Sequence, residues 1–546
     1  MVDPVADPAA TPPRSGLGRK AGLVLGSQML GSLMGFATLL VVGRYFEPAS
    51  YGLLVFAWGA LGILQLMADL GFGAAHIHFV GRGTEVPRAL GVYARVRLGL
   101  TLAVAMAVGI GAYVWLGLLG KSVTDATTLP IVAAVLAAQG VTLLRTVAVD
   151  TWVGQERFNR SEATKALETF LVLASLTGVG LALAARRGRW TPTGSLGGWL
   201  ADLLGMRTSW TVEQAGLALA LAYLCAKLLT LLPVAGWWLK DRVRLGAWDP
   251  WLARRYAAYA LPVALATAAS MLVAYTDVVM LGYFKTAADV GHFAVAQKLA
   301  GVVGIVAGAV AAPLLPRFSL LLRQRKEDEA REMLRSAERF LLLVAVPAAA
   351  VLVALPGPLI HIAVGDNYAS AAVPIRFLAL AGLVGTAMVP TATKVMGSGR
   401  ARAGMVGTLL TVGTNALLNL WLIPDWGAGL GGTGAAISAL LATLVGATYI
   451  RLLLRRSFGV PAFDPLFARM GLAGAAAAGF CALALHWAPA VAFSRFWMVG
   501  LWAAAGLAVF LGAAALLRLV RLEDLRTLAR LASPRELLRE LRGRSD

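Results

Sequence analysis

Apolar residues run in stretches of about 20, the number a helix needs to cross a roughly 30 Å hydrocarbon core at ~1.5 Å per residue. The stretches predict fourteen spans, at 21–42, 51–72, 98–119, 129–149, 166–185, 215–239, 257–281, 290–315, 340–364, 373–393, 403–423, 433–454, 470–487 and 496–519. Short polar turns separate them, and no polar stretch is long enough to bury a core of its own. The pattern therefore predicts an all-α, polytopic membrane protein.

Lys and Arg concentrate in alternate loops. Cytoplasmic loops retain basic residues, which assigns both termini to the cytoplasm, with 1–20 as an N-terminal tail, 240–256 as a linker and 520–546 as a basic tail. The chain carries 49 Lys and Arg against 29 Asp and Glu, a formal charge of +20. In a soluble protein that excess suggests nucleic acid; here it is explained by loops facing an anionic leaflet, so membrane lipids and no nucleic acid are the expected partners. The two cysteines, Cys225 and Cys481, fall within apolar spans and read as small core residues. The segment through Arg14 is polar and Pro-rich, which predicts a disordered tail without a cleavable signal.

Three shorter features stand out. The loop 186–214 holds Trp190, Trp199 and Trp210 around an apolar run, which suits a short interfacial helix. The charged run 323–339 reads as a solvated extension of the eighth span, and 521–546 as a basic amphipathic surface helix. A larger feature is an internal repeat. Gly43, Ala49, Gly52 and Gly62 recur in the same order and spacing as Gly282, Ala288, Gly291 and Gly301, with Tyr45 matched by Phe284. Both copies fall at an outer turn. The repeat predicts two six-helix bundles, 21–239 and 257–454, with 470–519 as two added helices, the arrangement usual for alternating access.

Motifs for bond chemistry are lacking in the sequence. There is no Gly-x-x-x-x-Gly-Lys loop for nucleotide phosphates, and the five histidines are scattered over different spans, so neither a cofactor nor a metal is expected. Gly429, Gly431 and Gly434 satisfy Gly-x-Gly-x-x-Gly, but no strand precedes them and they sit in a turn between spans.

Three motifs carry a family resemblance: Met67-Ala-Asp-Leu-Gly-Phe-Gly-Ala-Ala75; Thr276-Asp277-Val-Val-Met-Leu-Gly282 followed by Val290-Gly291-His-Phe-Ala-Val-Ala-Gln-Lys298; and Ile423-Pro-Asp-Trp-Gly427 leading to Gly434-Ala-Ala-Ile437. In order and placement the chain resembles the polysaccharide and O-antigen flippases of the multidrug, oligosaccharidyl-lipid and polysaccharide exporter superfamily. Lipid II flippases and drug antiporters are its near relatives there. The resemblance implies a V-shaped pair of bundles that passes a polyprenyl-diphosphate-linked oligosaccharide from the inner to the outer leaflet, alongside polysaccharide assembly proteins.

Such a substrate requires positive charge for its diphosphate and hydrogen-bonding groups for its sugars. Intramembrane polar residues are therefore the candidates, because a charge at the bilayer centre costs about 2.5 to 3.5 kcal/mol even on insertion scales. Lys227, near mid-depth of span six, is either a phosphate ligand or a structural lysine. Asp277 and Lys298 lie at similar depth on spans seven and eight, so an ion pair between them is expected, either structural or opened by substrate or by a coupling proton or sodium ion. Arg376 begins span ten and either binds substrate or snorkels. Asp69 and Arg145, at the inner ends of spans two and four, mark either an inner gate or ordinary interfacial solvation, and Gln28, Gln65, Gln139, Asn415 and Asn419 a sugar path or helix-joining amides. The reading is a non-enzymatic flippase. Its rivals are a cation-coupled exporter of drugs or lipid II-type precursors, and a glycosyl polymerase or ligase, which would be expected to carry a substantial catalytic outer loop, whereas the longest here, 186–214, has only Asp202 and Glu213 as carboxylates.

Overall fold

A computed structural model describes residues 17–117, 129–186, 211–241, 244–459, 464–487 and 496–520. The expected interfacial helix around Trp199, most of the N-terminal tail and the tail from 521 onward lie outside the described residues. Within them the chain is helical, and no described residue is in a β-strand.

The first half comprises α1 (Leu17–Tyr45), α2 (Pro48–Asp69), α3 (Phe72–Gly81), α4 (Val86–Gly117), α5 (Leu129–Gly154), α6 (Phe158–Arg186), α7 (Val212–Leu229) and α8 (Leu231–Asp241). The second comprises α9 (Pro250–Phe284), α10 (Ala287–Ala300), α11 (Ile305–Arg323), α12 (Glu327–Ala354), α13 (Pro356–Ala363), α14 (Ala372–Gly397), α15 (Ala401–Leu422) and α16 (Gly431–Phe458), followed by α17 (Pro465–Trp487) and α18 (Phe496–Leu516). Ten helical segments among the described residues are long and apolar enough to cross a membrane by length and composition, four fewer than the fourteen spans expected. Three further apolar segments, Leu30–Tyr45, Pro48–Gly62 and Met271–Phe284, are shorter. The protein is a multi-pass membrane protein. Its lipid-facing surface is plain on α4, where Leu98, Leu102, Met106 and Ile110, each more than half exposed, line up at four-residue spacing.

Several of the predicted spans are bent or broken. Span two bends at Leu70 and Gly71, both at positive φ (41° and 74°). A β-carbon on Gly71 would lie 2.5 Å from the Ala260 carbonyl oxygen of α9, so glycine is required there. Span six is divided at Thr230, span nine at Leu355 before Pro356, and span eight by a 3-10 turn at Gly301–Gly304. The predicted linker is shorter than expected, because Asp249 caps α9 by accepting from the N–H groups of Trp251 and Leu252 at 3.0 Å, with Pro250 at the first helical position. The charged run 323–339 is likewise no extension of span eight. Arg325 at φ 59° ends that helix, and Glu327, Asp328 and Glu329 open α12, where acidic side chains oppose the positive helix end. Ala330, Leu334 and Ala337 of this run are buried against Phe318 and Leu454.

Within the first half α1 packs on α6, and α7 on α5, α6 and α2. In the second half α16 packs on α14 and α15, α12 on α14 and α17, and α9 on α15. The two halves meet through α2, which crosses α10 and runs beside α9.

Candidate functional site

A cavity of about 350 Å³ lies between the halves, walled by α1, α2, α6, α7, α9 and α10. Its polar lining comprises Thr38, Tyr51, Trp58, Glu168, Thr169, Tyr223, Tyr275, Gln297 and Lys298. Lys298 stands on the last turn of α10, immediately before the 3-10 turn, and its side chain is exposed to this space. It has no hydrogen-bond or ion-pair partner among the described residues.

The ion pair expected between Asp277 and Lys298 is not formed. Helical spacing places Ala274, Tyr275 and Val278 of α9 on the cavity, whereas Asp277 turns toward α15. There it is buried, accepts from Asn419 Nδ2 at 2.7 Å and is hydrogen-bonded by Asn415. Asn419 Nδ2 also reaches Asn415 Oδ1 at 3.2 Å. Other buried carboxylates are neutralised by cations, Glu338 by Arg451 at 2.6 Å and Glu162 by Lys165 at 2.7 Å. Asp277 is held by amides.

Lys227 is buried on α7 and does not line the cavity. Its ammonium pairs with Glu168 Oε1 of α6 and lies over the rings of Trp58 (5.6 Å) and Tyr223 (5.3 Å). Arg145 of α5 joins the same carboxylate, Nη2 to Glu168 Oε2 at 2.7 Å. Asp69, at the end of α2, pairs with Arg97 of α4. Gln139 is buried on α5, with neither amide atom hydrogen-bonded among the described residues, and lies off the cavity. Arg376 is exposed on α14, also off the cavity. The side chains of Gln28 and Gln65 lie outside the described residues.

Glu168 escaped the sequence reading. Its signal was present: two cations in one half call for an anion, and span five carries a carboxylate near the same end as Arg145. Trp58 and Tyr223 were missed because aromatic residues in spans usually serve packing or the interface.

Across α1 from the cavity lies a second space, an apolar groove of about 1200 Å³ bordered by α1, α12, α13 and α18. It extends from Leu343 and Leu511 to Ile362 and Val499, and among the described residues Arg44 is the one charged residue that lines it. Leu299 and Val302, on either side of the α10 terminus next to Lys298, contribute to its wall.

Residues 211–373 match a family described as polysaccharide biosynthesis protein, and the matched segment contains Lys227, Asp277 and Lys298. The whole fold is similar to that of the lipid II flippase MurJ in an inward closed conformation, with a TM-score of 0.68 and 11% identity over 91% of this chain and 97% of the other. It is also similar to a multidrug resistance MATE family transporter of the MOP superfamily, inward-facing (TM-score 0.58, 17% identity, 80% of this chain and 98% of the other). The outward-facing form of such a transporter gives a TM-score of 0.53 at 16% identity, over 82% of this chain and 98% of the other. No curated protein sequence matches the chain significantly. The protein shares the fold of these transporters, as the resemblance implied, and residues 211–373 match the polysaccharide biosynthesis family.

Proposed function

We propose that the protein carries a polyprenyl-diphosphate-linked oligosaccharide across the cytoplasmic membrane by alternating access, for cell-surface polysaccharide assembly, without bond chemistry. The observation that carries this reading is Lys298, without a partner among the described residues, exposed in a cavity lined in part by hydroxyls and flanked by residues of a long apolar groove. A cation costs free energy at such depth unless an anion compensates it. A diphosphate supplies that anion, the hydroxyls and amides of the cavity suit sugars, and the groove accepts an isoprenoid chain. The match to a polysaccharide biosynthesis family and the shared fold with a flippase of lipid II support the same substrate class.

Asp277 serves as the coupling residue. A buried carboxylate faced only by amides gains most from a bound proton or sodium ion, and α9 carries it on one face while lining the cavity with another. Ion occupancy and substrate occupancy thus act on one helix.

Reconstitution tests the reading. Proteoliposomes containing the protein are expected to transfer a polyprenyl-diphosphate oligosaccharide between leaflets, measured as its accessibility to an added membrane-impermeant glycosidase. Transfer of cationic drugs without any transfer of the lipid-linked sugar would favour the exporter reading instead.

A further inference from the structure

The cluster of Arg145, Glu168 and Lys227 is built unlike an ordinary structural ion pair. Two cations share one carboxylate, so these three side chains carry one positive charge in excess, with Asp150 of α5 as a further carboxylate acting on Arg145. Glu168 lines the central cavity, whereas both cations lie behind it. Trp58 and Tyr223, in edge contact at 4.9 Å, cover Lys227 on the cavity side. Arg145 engages the carboxylate through Nη2, while its buried Nε and Nη1 have no acceptor among the described residues. A guanidinium has donors in a fixed fork that matches phosphate oxygens, and buried donors without acceptors are costly. The cluster therefore has more donor capacity than its single carboxylate can satisfy.

We propose that Glu168 is a resident anion holding Lys227 and Arg145 in reserve, and that the diphosphate of an entering substrate exchanges with it. This rests on the diphosphate-lipid reading above and adds the residue that controls it. An anion drawn into the cavity by Lys298 meets Glu168 on the wall. Once the diphosphate takes Arg145 and Lys227, Glu168 turns into the cavity, the cations remain compensated and the spare Arg145 donors gain acceptors. The rings of Trp58 and Tyr223 keep the ammonium beside the wall during the exchange.

The exchange has a mechanical consequence. Arg145 is on α5, Glu168 on α6 and Lys227 on α7, so the carboxylate fastens three helices. Its release frees α6, which packs along α1, the helix that separates the cavity from the apolar groove. Substrate entry then loosens the wall between the space for its head and the space for its chain. Glu168 is a positioning residue in this scheme, acting through the two cations.

Binding of farnesyl diphosphate and of farnesol to the detergent-solubilised full chain, measured by calorimetry, tests the exchange. Glu168→Gln removes the competing anion and is expected to tighten farnesyl diphosphate binding by about tenfold, equivalent to ~1.4 kcal/mol, with farnesol unchanged. The gain should vanish in Glu168→Gln/Lys227→Gln. A folded Glu168→Gln variant that binds the diphosphate no more tightly than wild type, or a gain that persists without Lys227, overturns the exchange. If the glutamine variant does not fold, Glu168→Asp takes its place: the shorter carboxylate cannot span both cations, so tighter binding is again expected and unchanged binding is decisive against it. A wild-type protein that binds farnesyl diphosphate no better than farnesol removes the diphosphate reading itself. Selective wild-type binding without a gain on substitution removes the exchange alone.

Discussion

Gly52 and Gly291, equivalent positions in the two copies of the predicted repeat, lie at one crossing of α2 and α10: a β-carbon on Gly52 would stand 2.9 Å from Gly291 N. It would also overlap the Ala287 carbonyl, while a β-carbon on Gly291 would overlap the Pro48 carbonyl. The backbones touch because neither helix has a side chain there. Nearby, the Tyr368 hydroxyl donates to the Phe46 carbonyl at 3.3 Å, so several contacts close this end of the molecule. Overpacking of a close contact costs about 1–3 kcal/mol. Gly52→Leu is expected to hold the crossing open and raise thiol labelling of a cysteine at Val55, a cavity residue, several-fold from the predicted outer side. Unchanged labelling in a normally abundant variant would show that this crossing is not part of a gate.

Asp277→Asn removes the charge with little change of shape and keeps one acceptor oxygen for Asn419, at the cost of the second acceptor. Flipping by the reconstituted variant is expected to continue at a reduced rate and to lose its response to imposed proton or sodium gradients. A folded variant with wild-type rate and wild-type response would exclude Asp277 from coupling.

The pair of Glu338 and Arg451 is a separate matter of stability. Both are buried, their side chains meet at 2.6 Å, and Thr391 Oγ1 donates to the same carboxylate oxygen at 2.8 Å. Arg451→Met strands a buried carboxylate and should destabilise the protein by about 3–5 kcal/mol. Glu338→Leu/Arg451→Met should recover much of that loss, as read by thermal unfolding in detergent. A double variant as unstable as the single one would mean that the pair contributes mainly through packing.

At the start of α9, the backbone N–H of Leu252 and the Arg88 side chain hold the Asp249 carboxyl below the usual carboxylate range. Because its folded pKa is depressed, its contribution is fully present above the ordinary value of about 3.9 and is lost as pH falls through the depressed one. Asp249→Asn retains a capping side chain but no titrating charge. Its melting temperature should accordingly fall less steeply with acid below about pH 4 than that of wild type, and an identical acid limb in the two proteins would contradict this assignment.

Orientation is read by labelling in sealed cells. The charge pattern predicts that Thr286→Cys reacts with an impermeant thiol reagent directly, whereas Ser398→Cys reacts only after permeabilisation. Direct labelling of Ser398→Cys would invert the topology assigned to the second half.

Helical class, membrane environment and the repeated glycine turns were legible in the chain alone, because all three depend on local properties. Hydrocarbon thickness sets the length of an apolar run, and a helix satisfies its own backbone wherever it stands. Also legible were Lys227, Asp277 and Lys298, since any charge in an apolar run is conspicuous. Partnership was decided only in three dimensions. Asp277 and Lys298 were expected to pair from similar depth, yet each residue turns a helix by about 100°, and that rotation sends Asp277 to Asn419 while Lys298 faces the cavity. Glu168 became significant only once α5, α6 and α7 brought Arg145 and Lys227 to it. Depth along a helix is legible from residue number, but direction around it depends on how neighbouring helices pack and bend, and those bends arise where contacts such as Gly71 against Ala260 are made.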